Sequence, residues 1–247
     1  MRGLWKMTWT ECKLLMREPV VVFFTLIFPL MMLFLFGTIY GNKPNPMFGG
    51  YGSVDVSVPA YAAMIIATSS LLSLTIQIAA YREHGILRRF RATPLHPGTI
   101  LAAQVIVIFV ITTAGMVLLV VAGKLVYHMR FAGNWLLVLI AFVLSSTSFF
   151  GLGFVLASVL PTTRASQIVA MVLFYPMLFL SGATIPRELL PENLRRLAEA
   201  LPLTHVVTLL RGLWVGDPLG RHVKEIAILV ALLGAGAAVS SKTFRWE

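Results

Sequence analysis

Six long apolar runs, each free of Asp, Glu, Lys and Arg, alternate with polar segments along the chain. A helix needs about 20 apolar residues to cross a bilayer, and five of the runs have that length. The last run, 226–241, is shorter and spans only if residues 223–225 join it with the Lys224 side chain extended toward the interface. The pattern predicts an all-α membrane protein with six transmembrane helices. Their predicted spans are about 20–40, 59–80, 99–123, 135–160, 165–183 and 223–241.

Residues 2–18 precede the first run and have a different pattern. At helical spacing Trp5, Trp9, Cys12 and Met16 form one stripe, with basic residues beside it. Tryptophan favours the headgroup level of a membrane, so 1–18 is predicted to form an interfacial helix. No small-x-small cleavage pattern follows the first run, which is longer than the apolar region of a signal peptide, so we expect it to remain as an anchor.

The charge distribution predicts the orientation. Of 247 residues 58% are hydrophobic and 12% charged, which excludes a soluble domain, and the net charge is +10. If the spans alternate, most basic residues fall on one side, and the short loops of the other side hold only Lys43, Lys124 and Arg130. The positive-inside rule places both termini in the cytoplasm. The basic excess therefore reflects topology, and no nucleic-acid partner is needed to explain it. The residues on the cytoplasmic side are Arg2, Lys6, Lys13, Arg17, Arg82, Arg88, Arg89, Arg91, Arg164, Lys242 and Arg245.

Several chemistries are absent from the sequence. No acidic or basic residue lies in any of the six runs, whereas ion-coupled transporters usually carry one. The chain has no G-x-x-x-x-G-K-[ST] phosphate loop, so energy from ATP must come from another subunit. One cysteine and no histidine pair at i, i+4 exclude a cysteine-based or helical metal site. Ser181 and His205 lack a G-x-S-x-G elbow and a third acid in a span, which disfavours an intramembrane hydrolase.

The loop between the second and third runs reads YREHGILRRFRATPLHP over residues 81–97. Gly85 is placed to end the preceding helix, residues 86–92 can form two turns, and Pro94 and Pro97 stop them. A short amphipathic helix tied to two spans would act as a mechanical coupler. The alternative is an ordinary basic cytoplasmic loop.

This loop resembles the ABC-2 family of ABC transporter membrane domains, which joins its second and third helices by E-x-G-[TS]-L-x-x-[LF]-x-x-[ST]-P. The matching residues are Glu83, Gly85, Leu87, Phe90, Thr93 and Pro94. The chain departs from the family pattern at Tyr81, Ile86 and Arg88. The resemblance implies a coupling helix at about 83–94 that docks on an ATP-binding subunit. The residues assigned to it are Glu83, Gly85, Leu87, Arg88, Phe90, Arg91, Thr93 and Pro94.

A second segment, between the fifth and sixth runs, carries an independent resemblance. Gly182 and Pro186 can end the fifth helix, Pro191 can start another, and Pro202 can stop it. We expect short helices that re-enter or lie on the outer leaflet at about 184–212, the alternative being an outer loop without a gating role. The family elements F-L-S-G-x-x-x-P, L-P-x-x-L and P-L-T, followed by an arginine, match here. The residues that the resemblance assigns to an outer gate are Ser181, Gly182, Pro186, Pro191, Pro202 and Arg211.

The resemblance covers the whole chain as a single domain, 1–247, and implies the membrane subunit of an exporter. The chain would move a hydrophobic or amphipathic compound, such as a drug, antibiotic or lipid-like molecule, out of the cell, without itself being an enzyme. It would hold no cofactor or metal, since ATP and Mg²⁺ would bind the partner ATPase. A second copy or a paralogous permease would complete the transporter in a bacterial or archaeal cell membrane.

Two alternatives stay open at this point. One is an ABC-2 exporter of a lipid-linked polysaccharide or glycolipid, although residues 176–211 are closer to the pattern of drug and antibiotic exporters. The other is a channel or secondary transporter that needs no ATPase. Uncharged spans favour an amphipathic cargo. Side chains that can line its path are Phe23, Phe24, Phe28, Met31, Met32, Phe174 and Tyr175.

Overall fold

The computed structural model describes residues 2–86, 97–185 and 187–243, and within these ranges the regular structure is entirely helical. Six of the described helices are long and apolar enough to cross a membrane, which confirms the predicted all-α membrane fold. We number the longer helices of the described chain in order. They are α1 (Arg2–Met16), α2 (Phe23–Tyr40), α3 (Ser53–Glu83), α4 (Pro97–Tyr127), α5 (Trp135–Val159), α6 (Thr163–Leu180), α7 (Glu192–Ala198), α8 (Pro202–Val215) and α9 (Val223–Thr243).

Helix α3 lies at the centre of the bundle. It is buried along most of its length and packs against α2, α4, α5, α6 and α8, whereas α2, α6 and α9 expose most of their apolar surface. Such exposed apolar faces suit lipid or a neighbouring membrane chain. Residues Thr68–Leu74 of α3 form a π-helical turn, and Thr75 Oγ1 there donates to the carbonyl oxygens of Ser70 and Gly153. The turn therefore hydrogen-bonds α3 to α5 inside the bundle.

The bundle has two ends with different contents. We call inner end the one that holds α1, residues 81–86 and residues 160–163, and outer end the one that holds residues 41–52, 128–134 and 181–222. These names follow the predicted orientation. Helix α1 packs on α4 through Leu15, which is buried in a small apolar cluster with Ile78 and Ile108. Trp5 and Trp9 on its other face are exposed, as expected of a helix at a membrane surface.

One boundary differs from the apolar pattern. The second span is predicted to begin at about residue 59, but α3 already begins at Ser53. The six apolar runs contain no charged residues, and the first turn of α3 contains Asp55. The Asp55 side chain is nevertheless buried. The Asp55 carboxylate accepts hydrogen bonds from the backbone N–H groups of Gly52 and Arg130 at 2.9 and 2.8 Å, and from the Asn42 side-chain amide at 2.8 Å. A carboxylate at a helix N-terminus with three donors is stabilised even when buried.

Close contacts between helices use small residues. A Cβ added at Gly153 would lie 2.6 Å from the Ser70 carbonyl oxygen, so α5 meets the backbone of α3 there. Gly236 of α9 contacts Gly151 of α5. A Cβ added at Gly236 would lie 2.9 Å from the Gly151 Cα. Gly234 faces open space. Small residues therefore set the α5–α9 separation at Gly236.

The outer segment after α6 contains more helix than the sequence suggests. Helix α7 begins directly after Pro191, as predicted, but ends at Ala198, before Pro202. Pro202 is the first residue of α8, a position where its missing N–H costs nothing. Most residues of α8 are buried, and the helix packs against α3, α5, α6 and α9. Helix α8 is thus part of the core at the outer end.

Candidate functional site

At the inner end, α3 leads into the segment for which the coupling helix is predicted. Three consecutive residues at the end of α3, Tyr81, Arg82 and Glu83, contact three different parts of the bundle. We call these residues the coupling junction. Each contact uses a polar group, so the junction is held by directional bonds in addition to apolar packing.

Arg82 lies against the C-terminus of α5. Its guanidinium donates to the carbonyl oxygen of Ala157 at 2.8 Å and to that of Ser158 at 3.1 Å, and also to the Leu160 carbonyl oxygen. The last carbonyl groups of a helix have no intrahelical partner and carry partial negative charge. The forked guanidinium satisfies several of them at once, which fixes the end of α3 to the end of α5.

Glu83 makes the complementary contact with the start of α6. Its Oε2 accepts a hydrogen bond from the backbone N–H of Thr163, the first residue of α6, at 2.7 Å. A carboxylate is favourable at a helix N-terminus because free N–H groups and the helix dipole both attract negative charge. Adjacent residues of opposite charge thus hold both helix ends that flank the α5–α6 loop. Glu83 is assigned to ATPase docking by the resemblance, and the structure gives its carboxylate a partner within the chain.

Tyr81 connects the junction to α1. Its hydroxyl donates to Oε2 of Glu11 at 2.7 Å, and Glu11 is buried. A buried carboxylate needs donors to offset lost hydration, and the tyrosine hydroxyl provides one. Movement of the end of α3 therefore acts on α1 as well as on α5 and α6.

The chain leaves α3 through Gly85, as the sequence predicts. Gly85 has φ +64°, a left-handed conformation in which glycine is favoured, and its N–H bonds to the Arg82 carbonyl oxygen at 3.0 Å. The helix thus ends at Glu83, the first residue of the predicted coupling segment. The other residues assigned to that segment lie outside the described residues. They are Leu87, Arg88, Phe90, Arg91, Thr93 and Pro94.

A cavity of about 530 Å³ opens beside the junction, between α1, α2, α3 and α6. Tyr81 lines it together with apolar side chains such as Phe24, Leu72 and Met171. Phe174 and Tyr175, which are among the side chains expected to line a path, also face it. The cavity is large and apolar enough to hold a drug-sized molecule.

At the outer end, Ser181 and Gly182 follow directly after α6. Ser181 is buried, and its Oγ accepts from the N–H of Ala183 at 3.2 Å. Gly182 has φ +91° and contacts the side-chain stem of Arg187. Arg211 lies on α8 with its guanidinium 5.7 Å from the Phe48 ring centroid, a cation–π contact.

The six residues assigned to the outer gate do not form one cluster. Gly182 and Arg211 line common cavities at the outer end. Pro191 and Pro202 start α7 and α8 and line neither of these cavities. Pro186 lies outside the described residues. Pro191 and Pro202 therefore start helices, Ser181 is buried in the turn after α6, and Gly182 and Arg211 line the cavities.

Ser181 and His205 have the separate partners expected of structural residues. His205 Nε2 lies 3.0 Å from the Glu199 carbonyl oxygen, and burial lowers the pKa of His205. Ser181 Oγ is engaged with the backbone of its own turn. No group of three metal-ligating side chains occurs among the residues that the structure describes. The arrangement offers no nucleophile–base pair at this point.

Sequence reasoning missed the contacts of Arg82 and Tyr81. From the sequence alone, Arg82 is one of several basic residues on the cytoplasmic side, and Tyr81 is a departure from the family pattern. Their partners lie 75 and 70 residues away along the chain, in Ala157 and Glu11. The available signal was local: an Arg-Glu pair at the end of a span can satisfy a helix C-terminus and a helix N-terminus.

Comparisons with known proteins agree with this architecture. The chain is 25% identical to the probable multidrug ABC transporter permease YbhR of Escherichia coli K12, over 65% of this chain and 44% of that protein. It thus spans less than half the length of that relative. It is 29% identical to nodulation protein J of Rhizobium leguminosarum bv. viciae, over 84% of this chain and 86% of that protein. It is also 29% identical to the daunorubicin resistance ABC transporter permease protein DrrB1 of Streptomyces coeruleorubidus, over 79% of this chain and 68% of that protein.

The sequence profile of the ABC-2 type transporter family matches residues 2–214, which include α1 to α8. The match and the six spanning helices identify a multi-pass membrane permease subunit. This chain belongs to the ABC-2 type transporter family.

Proposed function

We propose that this chain exports a hydrophobic or amphipathic compound, driven by ATP hydrolysed in a separate ATP-binding-cassette subunit. Two membrane chains, identical or paralogous, would pair with two such subunits in the inner or plasma membrane of a bacterium or archaeon. Both termini would be cytoplasmic. ATP and Mg²⁺ would bind the partner, and this chain would transmit force and form the path.

The observation that carries the proposal is the coupling junction. The segment assigned to ATPase docking, about 83–94, begins at the end of α3, where Tyr81, Arg82 and Glu83 bond to α1, α5 and α6. A push on this segment would move three elements together, because hydrogen bonds to helix ends resist separation. Helices α1, α3 and α6 also border the inner cavity, so the same movement would change its shape.

The cavity supports the choice of cargo. It has about 530 Å³ and exposes mostly apolar surface, and its polar side chains include Arg17, Glu18, Gln77 and Gln167. A mostly apolar surface with some polar and charged groups suits an amphipathic molecule better than a hydrated ion. Relatives named for multidrug and daunorubicin resistance are consistent with such a compound.

The test is co-purification with the ATP-binding subunit expected from an adjacent gene, followed by ATPase and transport assays in lipid vesicles. Leu87→Asp places a charge in the predicted docking segment, and we expect normal membrane insertion with loss of transport. Arg82→Gln keeps a polar, hydrogen-bonding side chain but is shorter and removes the charged fork that holds the end of α5. We expect it to retain ATPase binding and to lose transport by at least about tenfold.

Arg164→Gln is the matched control, since Arg164 is an exposed arginine next to Thr163 at the same end of the bundle. It should transport like the original chain. Normal transport by a well-inserted Leu87→Asp chain would refute the docking segment. Equal transport by the Arg82→Gln and Arg164→Gln chains would refute force transmission through the junction. Solute transport by the chain alone, without any ATPase, would support a channel or secondary carrier.

A further inference from the structure

Two neighbouring cavities at the outer end differ in character. The larger, about 490 Å³, exposes mostly apolar surface, including Phe36, Val56 and Leu189, and its charged lining residues are Lys43 and Arg211. The smaller, about 400 Å³, is lined by Arg187, Arg195 and Arg211. Gly182 and Arg211 line both cavities, so the two adjoin.

The smaller cavity carries an excess of positive charge. Its one lining carboxylate, Asp217, contacts Arg221 at 3.0 Å and lies 3.6 Å from His222 Nε2. Arg187 has a long ion pair of 3.7 Å with Glu199. Three lining arginines thus face one carboxylate that is already paired with another arginine. Such a surface attracts an anion.

Arg187 provides a second, independent indication of a missing acceptor. Its Nε is buried, and within the described part of the chain it has no hydrogen-bond partner. An unpaired donor of a charged group is costly when removed from water, so an acceptor in the cavity would relieve that cost.

The position of Arg187 is set by Gly182. A Cβ on residue 182 would lie 2.8 Å from the Arg187 Cγ, and the φ of +91° disfavours any other residue there. The absence of a side chain at position 182 therefore lets the arginine stem pack at the boundary of the two cavities. Gly182, one of the residues assigned to the outer gate, thus helps to determine where the Arg187 side chain lies.

We propose that the paired cavities form one binding site for an anionic amphiphile, a molecule with a phosphate or carboxylate head and an apolar tail. The head would lie among Arg187, Arg195 and Arg211, since guanidinium groups bind phosphate and carboxylate through paired hydrogen bonds. The tail would lie in the larger cavity against Phe36 and Leu189. The site borders the outer ends of α2, α3 and α6, which is the depth of lipid head groups.

The role of this site in the release of cargo rests on the proposed export function. Its occupation by a ligand does not require transport. Binding can therefore be measured on the purified full-length chain without ATP, and a failed binding experiment would leave the coupling experiment unaffected.

The head-group test compares phosphatidylglycerol with phosphatidylcholine of the same acyl chains, by native mass spectrometry of the delipidated chain. We expect preferential retention of phosphatidylglycerol by the original chain and about fivefold weaker retention by the Arg195→Gln chain. Arg196→Gln is the matched control, because Arg196 is the next residue of α7, lines neither cavity and pairs with Glu192. Its retention of phosphatidylglycerol should not change.

The tail test introduces a carboxylate into the larger cavity. Leu189 lines that cavity and is 58% exposed, so Leu189→Asp should not disturb the core. Leu197→Asp is the control, since Leu197 is 61% exposed and lines neither cavity. We expect about fivefold weaker retention of phosphatidylglycerol only for Leu189→Asp. Circular dichroism of each variant should match the original chain.

Dodecyl phosphate and inorganic phosphate separate the sources of the ligand. Arginine-dependent retention of phosphatidylglycerol would identify a membrane phospholipid. Arginine-dependent retention of dodecyl phosphate, but not of phosphatidylglycerol, would identify a free single-chain amphiphile such as a departing cargo. Inorganic phosphate should bind at least about tenfold more weakly than either, because it lacks a tail. Two results would overturn the proposal. One is equal retention of both phospholipids together with no arginine-dependent binding of dodecyl phosphate. The other is an equal loss of phosphatidylglycerol retention in the Arg195→Gln and Arg196→Gln chains.

Discussion

At the residue scale, the buried polar groups decide where the helices are fixed. Asp55 is 1% exposed, yet its carboxylate has three donors from two loops, Gly52 and Asn42 of the α2–α3 loop and Arg130 of the loop after α4. Asn42 in turn accepts from the N–H groups of Val54 and Asp55 at 3.1 Å. One carboxylate and one amide thus hold together the α2–α3 loop, the first turn of α3 and the loop after α4.

Replacement of this carboxylate tests its contribution to stability. Asp55→Ala leaves three N–H donors without their acceptor, and we expect the free energy of unfolding to fall by about 3 kcal/mol. Thermal unfolding in detergent, followed by circular dichroism, measures the change. Glu192→Gln removes an exposed ion pair with Arg196 and should lower the stability by only about 0.5 kcal/mol. Equal effects of both substitutions would refute the anchoring role of Asp55.

At the scale of helices, local sequence signals predict where a helix ends better than they predict which residues it contacts. Gly85 and Pro191 lie next to helix ends as expected, because backbone conformation and the missing proline N–H act within a few residues. The first turn of α3 escaped prediction because it contains Asp55, whose burial depends on hydrogen bonds from Gly52, Asn42 and Arg130 that the apolar pattern does not show. Short helices are expected at about 184–212, but the bounds and burial of α8 are not, because it is too short to span a bilayer and contains Arg211. The sequence does not predict the hydrogen-bond partners of Arg82, because the carbonyl groups that it contacts come close only when α3 packs against α5.

The contact between α5 and α9 provides a prediction at this scale. Gly236→Ala would place a methyl group 2.9 Å from the Gly151 backbone, which cannot rotate away as a side chain can. We expect the helices to separate and the free energy of unfolding to fall by about 1–3 kcal/mol.

Gly234→Ala, two residues earlier on the same helix, is the control. It meets open space, and alanine has the higher helix propensity, so it should leave stability unchanged or raise it by up to about 1 kcal/mol. Denaturation of the purified chain in detergent distinguishes the two variants. A destabilised Gly234→Ala chain with a stable Gly236→Ala chain would refute this packing.

At the scale of the whole molecule, the two ends of the bundle carry different chemistry around one buried helix. The inner end has the coupling junction and an apolar cavity, and the outer end has Asp55, α8 and the arginine-lined cavity. Helix α3 extends from one end to the other, from Ser53 to Glu83. A displacement at Arg82 can therefore reach the outer cavities through a single helix that packs against α2, α4, α5, α6 and α8.

This arrangement requires that the inner end face the cytoplasm, which labelling can test in a Cys12→Ser background. Lys43→Cys and Gly220→Cys place thiols at exposed outer positions, and Pro161→Cys places one at the exposed loop between α5 and α6. In sealed right-side-out vesicles, a membrane-impermeant maleimide should label positions 43 and 220 and should reach position 161 only after permeabilisation. The positive-inside distribution of arginine and lysine is the physical reason for this expectation. The reverse labelling pattern would put the coupling junction outside the cell, where no ATP-driven subunit could act on it, and would refute the proposed mechanism together with the orientation.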